Sequence, residues 1–399
     1  MSRTLSALLL LVLTADGLLA FLVPVMVYGF TGSLAMSGLT YAMAWLPRVL
    51  VTPLVGASID RWGVRPVSVV SDMVKLGGCL IMVAVLLNDP DPLTLTLLGG
   101  LLSGLVAIGN AQSLIAYEKM IALASKNIDR DVNILCRIDQ LAMVIGPVAG
   151  LAGYATGVIN LLLLTAAMYA VNGACYFFIS GIPKNPPIEP ASADQAYRAN
   201  LRLIIATPLL LSSILLAVGN NAFDGLVEAS AVALIDRAMQ LPIQYFAFVD
   251  MCAGVCGVAA TLLYSRLTRT VASLRLFVAA AVITASASAL MIASQGYLAG
   301  FLALYALSIG AKVFMNNFSR NLRIRVVPPQ RLAGVSSLMV LLNQAVLPAV
   351  GLALYMVGEH PPMVSMLMAL AISVTLFAAY RIYHQVYVTE LPETQSARS

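Results

Sequence analysis

Asp16 stands in the middle of an apolar run from Ser6 to Phe30. That run is long enough to cross a hydrocarbon core of ~30 Å, which takes about 20 residues. A carboxylate at the centre of such a helix costs roughly 2.5–3.5 kcal/mol on insertion scales, so it implies a cation, a proton or a counter-charge beside it. Other polar groups interrupt apolar runs further on: Arg48, Asn110, Asp139 and Asn172 in the first half of the chain, and Asn220, Asn221, Asp224 and Glu228 in a single run of the second half. Residues 220, 224 and 228 recur every four positions and therefore share one helix face. Lys312, Asn316 and Asn317, then Asn343 and Gln344, follow in later runs. A polar stripe in a bilayer must face a cavity or a partner helix. The chemistry open to carboxylates and amides so placed is to coordinate a cation or to hydrogen-bond a polar cargo. No nucleophile–His–acid set and no phosphate-cradling loop is present in the sequence, so catalysis is not expected. Cys252 and Cys256 share a face without a metal-site pattern and read as packing residues.

The elements that must position these groups are membrane helices. The chain has 399 residues, 60% of them hydrophobic and only 10% charged, against about 25% charged in soluble domains. The formal net charge of +5 reports topology rather than a nucleic-acid partner. Cysteines at 79, 136, 175, 252 and 256 lie in or beside apolar spans, which argues against a disulfide framework. The first span is too long for a cleaved signal and is expected to stay. Twelve helical spans can be drawn, at roughly 6–30, 35–58, 66–87, 93–117, 138–157, 160–181, 203–233, 242–264, 275–293, 297–318, 332–357 and 363–384. With the N-terminus inside, the inner loops hold Arg61 and Arg65; Lys119, Lys126 and Arg130; Lys184, Arg198 and Arg202; Arg266 and Arg269; and Arg320, Arg323 and Arg325, while the outer loops hold only Arg237. This asymmetry places both termini in the cytoplasm.

The proline-rich connection 182–200 is a stiff linker. It separates a six-helix half at 1–181 from a second at 201–385, with a cytoplasmic tail at 386–399. Six helices plus six around a linker is the all-α pattern of the major facilitator superfamily, whose halves rock about a midplane site. Between spans two and three, Gly56-Ala-Ser-Ile-Asp60-Arg61-Trp-Gly63-Val-Arg65 resembles that superfamily's loop motif G-x-x-x-D-R-x-G-R-R, with Val64 in place of one basic residue. Tyr264-Ser-Arg-Leu-Thr-Arg269 is a degraded echo of it in the second half.

Within the superfamily, four stretches resemble ferroportins, the iron exporters: Thr14-Ala-Asp16-Gly-Leu-Leu-Ala20-Phe21 in span one; Arg137-Ile-Asp139-Gln-Leu with Gly146-Pro147 in span five; Val171-Asn172-Gly-Ala-Cys175-Tyr176 in span six; and Ala222-Phe223-Asp224-Gly225 in span seven. The resemblance implies outward transport of a divalent metal in exchange for protons. It makes Asp16 and Asn172 metal ligands and puts Cys175 where bacterial members have Ser, a softer donor. Asn220, Asp224, Glu228 and Asn317 would line a second-half cavity. Asp60, Arg61, Arg65, Arg137 and Asp139 would form cytoplasmic ion pairs that break as the halves rock, and Arg48 would be a counter-charge to Asp16 or Asp139. Ala20 and Gly225 stand where animal members have a metal-binding His and a Cys, Cys136 replaces the first Arg of the span-five motif, and no His lies inside a span. The expected partners are a divalent metal ion or a metal chelate, protons and the lipid bilayer, with no cofactor and no nucleic acid, in a monomer of the bacterial inner membrane. The weak ligand set keeps open an exporter of a siderophore or drug-like molecule, and a non-transporting scaffold or receptor stands as a third class.

Overall fold

The structure, a computed structural model, describes residues 3–125, 128–179, 193–294, 296–328, 331–358 and 360–396. Among these the chain is helical throughout, with no strand. The helices are α1 (Arg3–Thr31), α2 (Leu34–Trp62), α3 (Val64–Leu86), α4 (Pro92–Ala124), α5 (Ile128–Gly153), α6 (Val158–Phe178), α7 (Ala193–Ala206), α8 (Pro208–Arg237), α9 (Ala247–Leu267), α10 (Ser273–Ala293), α11 (Leu298–Val326), α12 (Leu332–Gln344), α13 (Val346–Val357) and α14 (Pro361–Ser396). Twelve stretches are long and apolar enough to cross a membrane, with α12 and α13 together forming the eleventh. The twelve spans expected from hydropathy are therefore present, and the chain is an integral membrane protein. The expected span 203–233 is corrected at its start: Thr207 interrupts the helix and Pro208 opens α8. Proline lacks the N–H that a continuing helix needs but fits a first helical turn. The polar and apolar residues of α7 thus form a separate short helix outside the set of spans.

The ends of the helices follow local chemistry. Ser33 caps α2 by accepting the Met36 N–H at 3.4 Å, and the Asp91 carboxylate caps α4 by accepting the Thr94 N–H at 3.0 Å, with Pro92 at the first helical position. Gly63 joins α2 to α3 at φ 91°, a backbone region that side chains disfavour.

By contacts the chain forms two compact units: one of Met1–Glu189, Glu228–Val255 and Leu347–Glu359, the other of Pro190–Val227, Cys256–Val346 and His360–Ser399. In the first unit α1 is the central helix, packed against α4, α5 and α6. Its approach to α5 is backbone to backbone: a Cβ on Gly146 would stand 2.5 Å from the Gly17 carbonyl carbon. Because α1 is enclosed on most sides, whatever it carries at Asp16 is held away from lipid. At one end of this unit the start of α2 meets α13 equally closely, with a Cβ on Gly351 only 2.4 Å from Ala42 N. There Tyr28 donates to Asp236 at 3.0 Å, Tyr41 donates to Glu228 at 3.0 Å and Arg237 donates to the Gly32 carbonyl at 2.5 Å. In the second unit Phe277 of α10 stacks on Phe318 of α11 at 4.6 Å among Leu216, Met315 and Ile382. A separate cluster joins Ile204 and Leu210 to Val335, Leu338 and Met339 of α12.

Candidate functional site

The buried face of α3 reads Val64, Ser68, Asp72, Lys75, Cys79 and Met82, spaced by three and four residues as one helical stripe demands. The buried face of α6 is Thr165, Tyr169, Asn172 and Tyr176. α3 packs on α6 and α6 on α1, and Lys75 of α3 reaches across to Asp16, so the result is a buried polar cluster of four named groups around Asp16. Lys75 Nζ lies 3.1 Å from Asp16 Oδ1 and 3.5 Å from Asp72 Oδ1, with the three side chains only 1–3% exposed. Tyr169 donates its hydroxyl to the same Asp16 oxygen at 2.7 Å, and the Lys75 ammonium also stands 4.4 Å from the Tyr169 ring centroid, in cation–π range. Asn172 donates its amide to Asp72 Oδ2 at 2.6 Å. The lysine stem runs over Gly109 of α4, where a Cβ would stand 2.8 Å from Lys75 Cδ. Gly109 is thus what allows the ammonium to reach both acids.

Two atoms of the cluster are left without partners: Asp16 Oδ2 and Asn172 Oδ1, both buried acceptors. Each lacks a donor or a cation, and an unsatisfied buried polar group costs about 1–3 kcal/mol. Two carboxylates against one ammonium also leave one net negative charge inside the span region. The open acceptors ask for a hydrogen-bond donor, and with both acids ionised the excess carboxylate asks for a proton or a single positive charge.

The second unit holds a smaller pair. Lys312 Nζ lies 2.5 Å from Asp224 Oδ1, against the Phe223 ring at 4.6 Å from its centroid. One turn away on α8, Asn220 accepts the Thr375 hydroxyl at 3.3 Å and keeps its own amide nitrogen unpartnered, while Asn221 donates to the Asn343 carbonyl at 2.9 Å.

Several sequence expectations are redistributed by this geometry. Asp16 and Asn172 do come into one cluster, but Cys175 does not join them. It is exposed because the buried stripe of α6 runs through 169, 172 and 176 and leaves 175 on the outer edge. The counter-charge of Asp16 is Lys75, and Arg48 instead lays its guanidinium 4.5 Å from the Trp45 ring centroid. Asn220 and Asp224 lie near each other, whereas Glu228 is bonded to Tyr41 of the first unit. Asn317, five residues beyond Lys312, is turned about 140° around α11 from it and does not join the pair. None of Arg61, Arg65, Arg137 and Asp139 forms an ion pair with a described residue. Arg65 donates instead to the Ile179 carbonyl at the end of α6, and Arg137 is exposed while Asp139, two residues on, points to the opposite side of α5. The side chain of Asp60 lies outside the described residues. Lys75, Asp72 and Tyr169 were missed. The signal for the first two was in the chain: an acid and a lysine three residues apart inside an apolar run. Among the described residues no group of three or more His, Cys, Asp and Glu side chains is placed to hold a metal ion.

The chain has the major facilitator fold, as its alignment with solved transporter structures shows. Solved structures with this fold align over nearly the whole chain. A bacterial homologue of the iron transporter ferroportin, in the inward-facing state, covers 96% of this chain and 98% of its own at 19% identity with a TM-score of 0.69. The nucleoside transporter NupG covers 95% and 98% at 12% identity with a TM-score of 0.75. A bacterial metal transporter covers 96% and 98% at 17% identity with a TM-score of 0.65. No protein-family profile and no curated protein matches the sequence.

Proposed function

We propose that this protein is a secondary active transporter that works by alternating access, with both termini cytoplasmic and protons as the coupling ion. Its cargo is a metal chelate or another polar organic solute moved outward, rather than a bare divalent ion. The observation that supports this reading is Lys75, an ammonium already seated between Asp16 and Asp72. A bare divalent ion at Asp16 would have to displace that fixed cation or, bound beside it, would turn one net negative charge into one net positive charge in a low-dielectric interior. A proton or other single positive charge brings the cluster to neutrality. A larger cargo would be held by amides and hydroxyls, for which Asn220 and its unpartnered nitrogen offer a donor.

A second reading, export of a bare divalent metal, is favoured by the two unpartnered acceptors at Asp16 and Asn172 and by the resemblance of span one to ferroportins. It requires Lys75 to leave the acids when metal arrives. Reconstitution in proteoliposomes separates the two. Efflux of Co²⁺ and Fe²⁺ is measured against efflux of ferric complexes of carboxylate siderophores, in wild type and Asp16→Ala. The chelate reading expects flux of the complex and none of the free ions. Efflux of free Co²⁺ that Asp16→Ala abolishes would overturn it, and the absence of flux for every cargo together with the absence of pH-driven counterflow would leave a non-transporting receptor.

A further inference from the structure

Between α2, α3 and α4 of the first unit lies an apolar cavity of about 590 Å³. Its walls include Leu54 and Trp62 of α2, Val67, Val70 and Val74 of α3, and Ile108 of α4. Leu54, Trp62 and Val70 are each more than 60% exposed, so the cavity opens sideways along membrane-spanning helices instead of closing into the core. Its polar lining is limited to Ser58, Ser71 and Gln112, the last donating to the buried Ser68 hydroxyl at 2.9 Å. One end is marked differently. Trp62 ends α2, and the Arg61 guanidinium lies 5.8 Å from the Trp62 ring centroid. Arg65 opens α3 beside it with its guanidinium held on the Ile179 carbonyl. A lateral apolar slot in a membrane helix bundle, with Trp62 and Pro66 in its wall and an arginine next to each in the chain, is complementary to a molecule with a long hydrocarbon chain and an anionic head. Basic groups at the end of membrane helices attract anionic lipid headgroups, and indole rings settle at the headgroup level.

We propose that this slot is a specific site for one anionic phospholipid, with an acyl chain along Val67, Val70 and Val74 and its phosphate at Arg61 and Arg65. The occupant is a lipid and not a soluble phosphate compound, because the described lining of the cavity is apolar apart from Ser58, Ser71 and Gln112 and carries no charge. The slot adjoins the Asp16 cluster through Gly109, which packs on the Lys75 stem, but the proposal does not depend on the transport reading.

Native mass spectrometry of the detergent-solubilised protein tests it, with dioleoyl phosphatidylglycerol and dioleoyl phosphatidylcholine added in equal amounts. The expected result is selective retention of one phosphatidylglycerol. Arg61→Gln should lower that occupancy about fivefold, the ratio corresponding to ~1 kcal/mol per arginine near the headgroups, and should leave phosphatidylcholine adducts unchanged. Val70→Trp, which fills the slot from an exposed position, should lower the phosphatidylglycerol adduct as well, with folding checked by size-exclusion elution. Equal binding of both lipids, or no effect of either substitution, would reduce the slot to bulk lipid contact and overturn the proposal. Displacement of the adduct by millimolar glycerol phosphate would also overturn it, since it would assign the affinity to the headgroup alone.

Discussion

Lys75→Met is the perturbation that tests the site most directly. The substitution keeps the unbranched stem that packs on Gly109 and removes only the ammonium. In the structure that ammonium lies 3.1 Å from one Asp16 oxygen and 3.5 Å from one Asp72 oxygen. At an effective dielectric of ~20, each contact is worth about 5 kcal/mol of attraction, against several kcal/mol of desolvation per ion. Removing one partner from such a buried arrangement costs roughly 3–5 kcal/mol, because the acids stay buried without compensation. The net charge of the cluster falls from one negative to two, which matches a divalent cation. We therefore expect Lys75→Met to lower the thermal unfolding midpoint in detergent and to acquire stabilisation by Co²⁺ that wild type lacks. Co²⁺ at a hundred times its dissociation constant returns about 2.7 kcal/mol of that loss. Adding Asp72→Asn to Lys75→Met restores a single negative charge and should recover part of the stability without metal, a coupling that a double-mutant cycle reads out. Equal midpoints for Lys75→Met and wild type, together with Co²⁺ acting equally on both, would show that Lys75 does not neutralise these acids and would remove the argument against a bare metal cargo.

Three further outcomes follow from other contacts. Gly146→Val places side-chain atoms against the Gly17 backbone, where even a Cβ would stand 2.5 Å from a carbonyl carbon; overpacking of this kind costs about 1–3 kcal/mol or more, so folded yield on size exclusion should drop, whereas Gly56→Val, with nothing within 4 Å of its Cβ position, should fold normally. Asp224→Asn leaves Lys312, only 4% exposed, without its charge partner; its unfolding midpoint should fall and be partly restored by Lys312→Met, and an unchanged midpoint in the single variant would deny the pair any structural role. The Thr94 hydroxyl and amide hold the Asp91 carboxyl below the usual carboxylate range, so its capping of α4 is fully present above the unfolded-state value near 3.9 and is lost as pH falls through the lower folded value; Asp91→Asn, which still caps, should flatten that acid dependence in a stability titration below pH 4.

The span architecture was legible in the sequence because hydrophobic length is summed over many residues, and no single contact can override it. The start of span seven moved to Pro208 for a local reason that a proline states in advance, while α5 begins at Ile128, ten residues before the expected span. The site was half legible. Asp16 and Asn172 stood out as isolated polar groups in apolar runs, and both are at the cluster. Lys75 was passed over because basic residues were weighed as markers of topology, which is what they are in loops, whereas a lysine three residues after an acid within a span is a buried pair in waiting. Arg48 was chosen as the counter-charge on composition, but which cation reaches a carboxylate depends on helix faces. Asp72 and Lys75 lie on the stripe of α3 that packs on α6, from which Lys75 reaches Asp16, while Arg48 lies beside Trp45 on α2. Cys175 failed by the same rule, since its spacing from Asn172 turns it past the edge of the buried stripe. The buried stripes of α3 and α6 bring Lys75 and Tyr169, not Arg48 and Cys175, to Asp16, and the chemistry they define is a lysine-neutralised carboxylate instead of an open metal site.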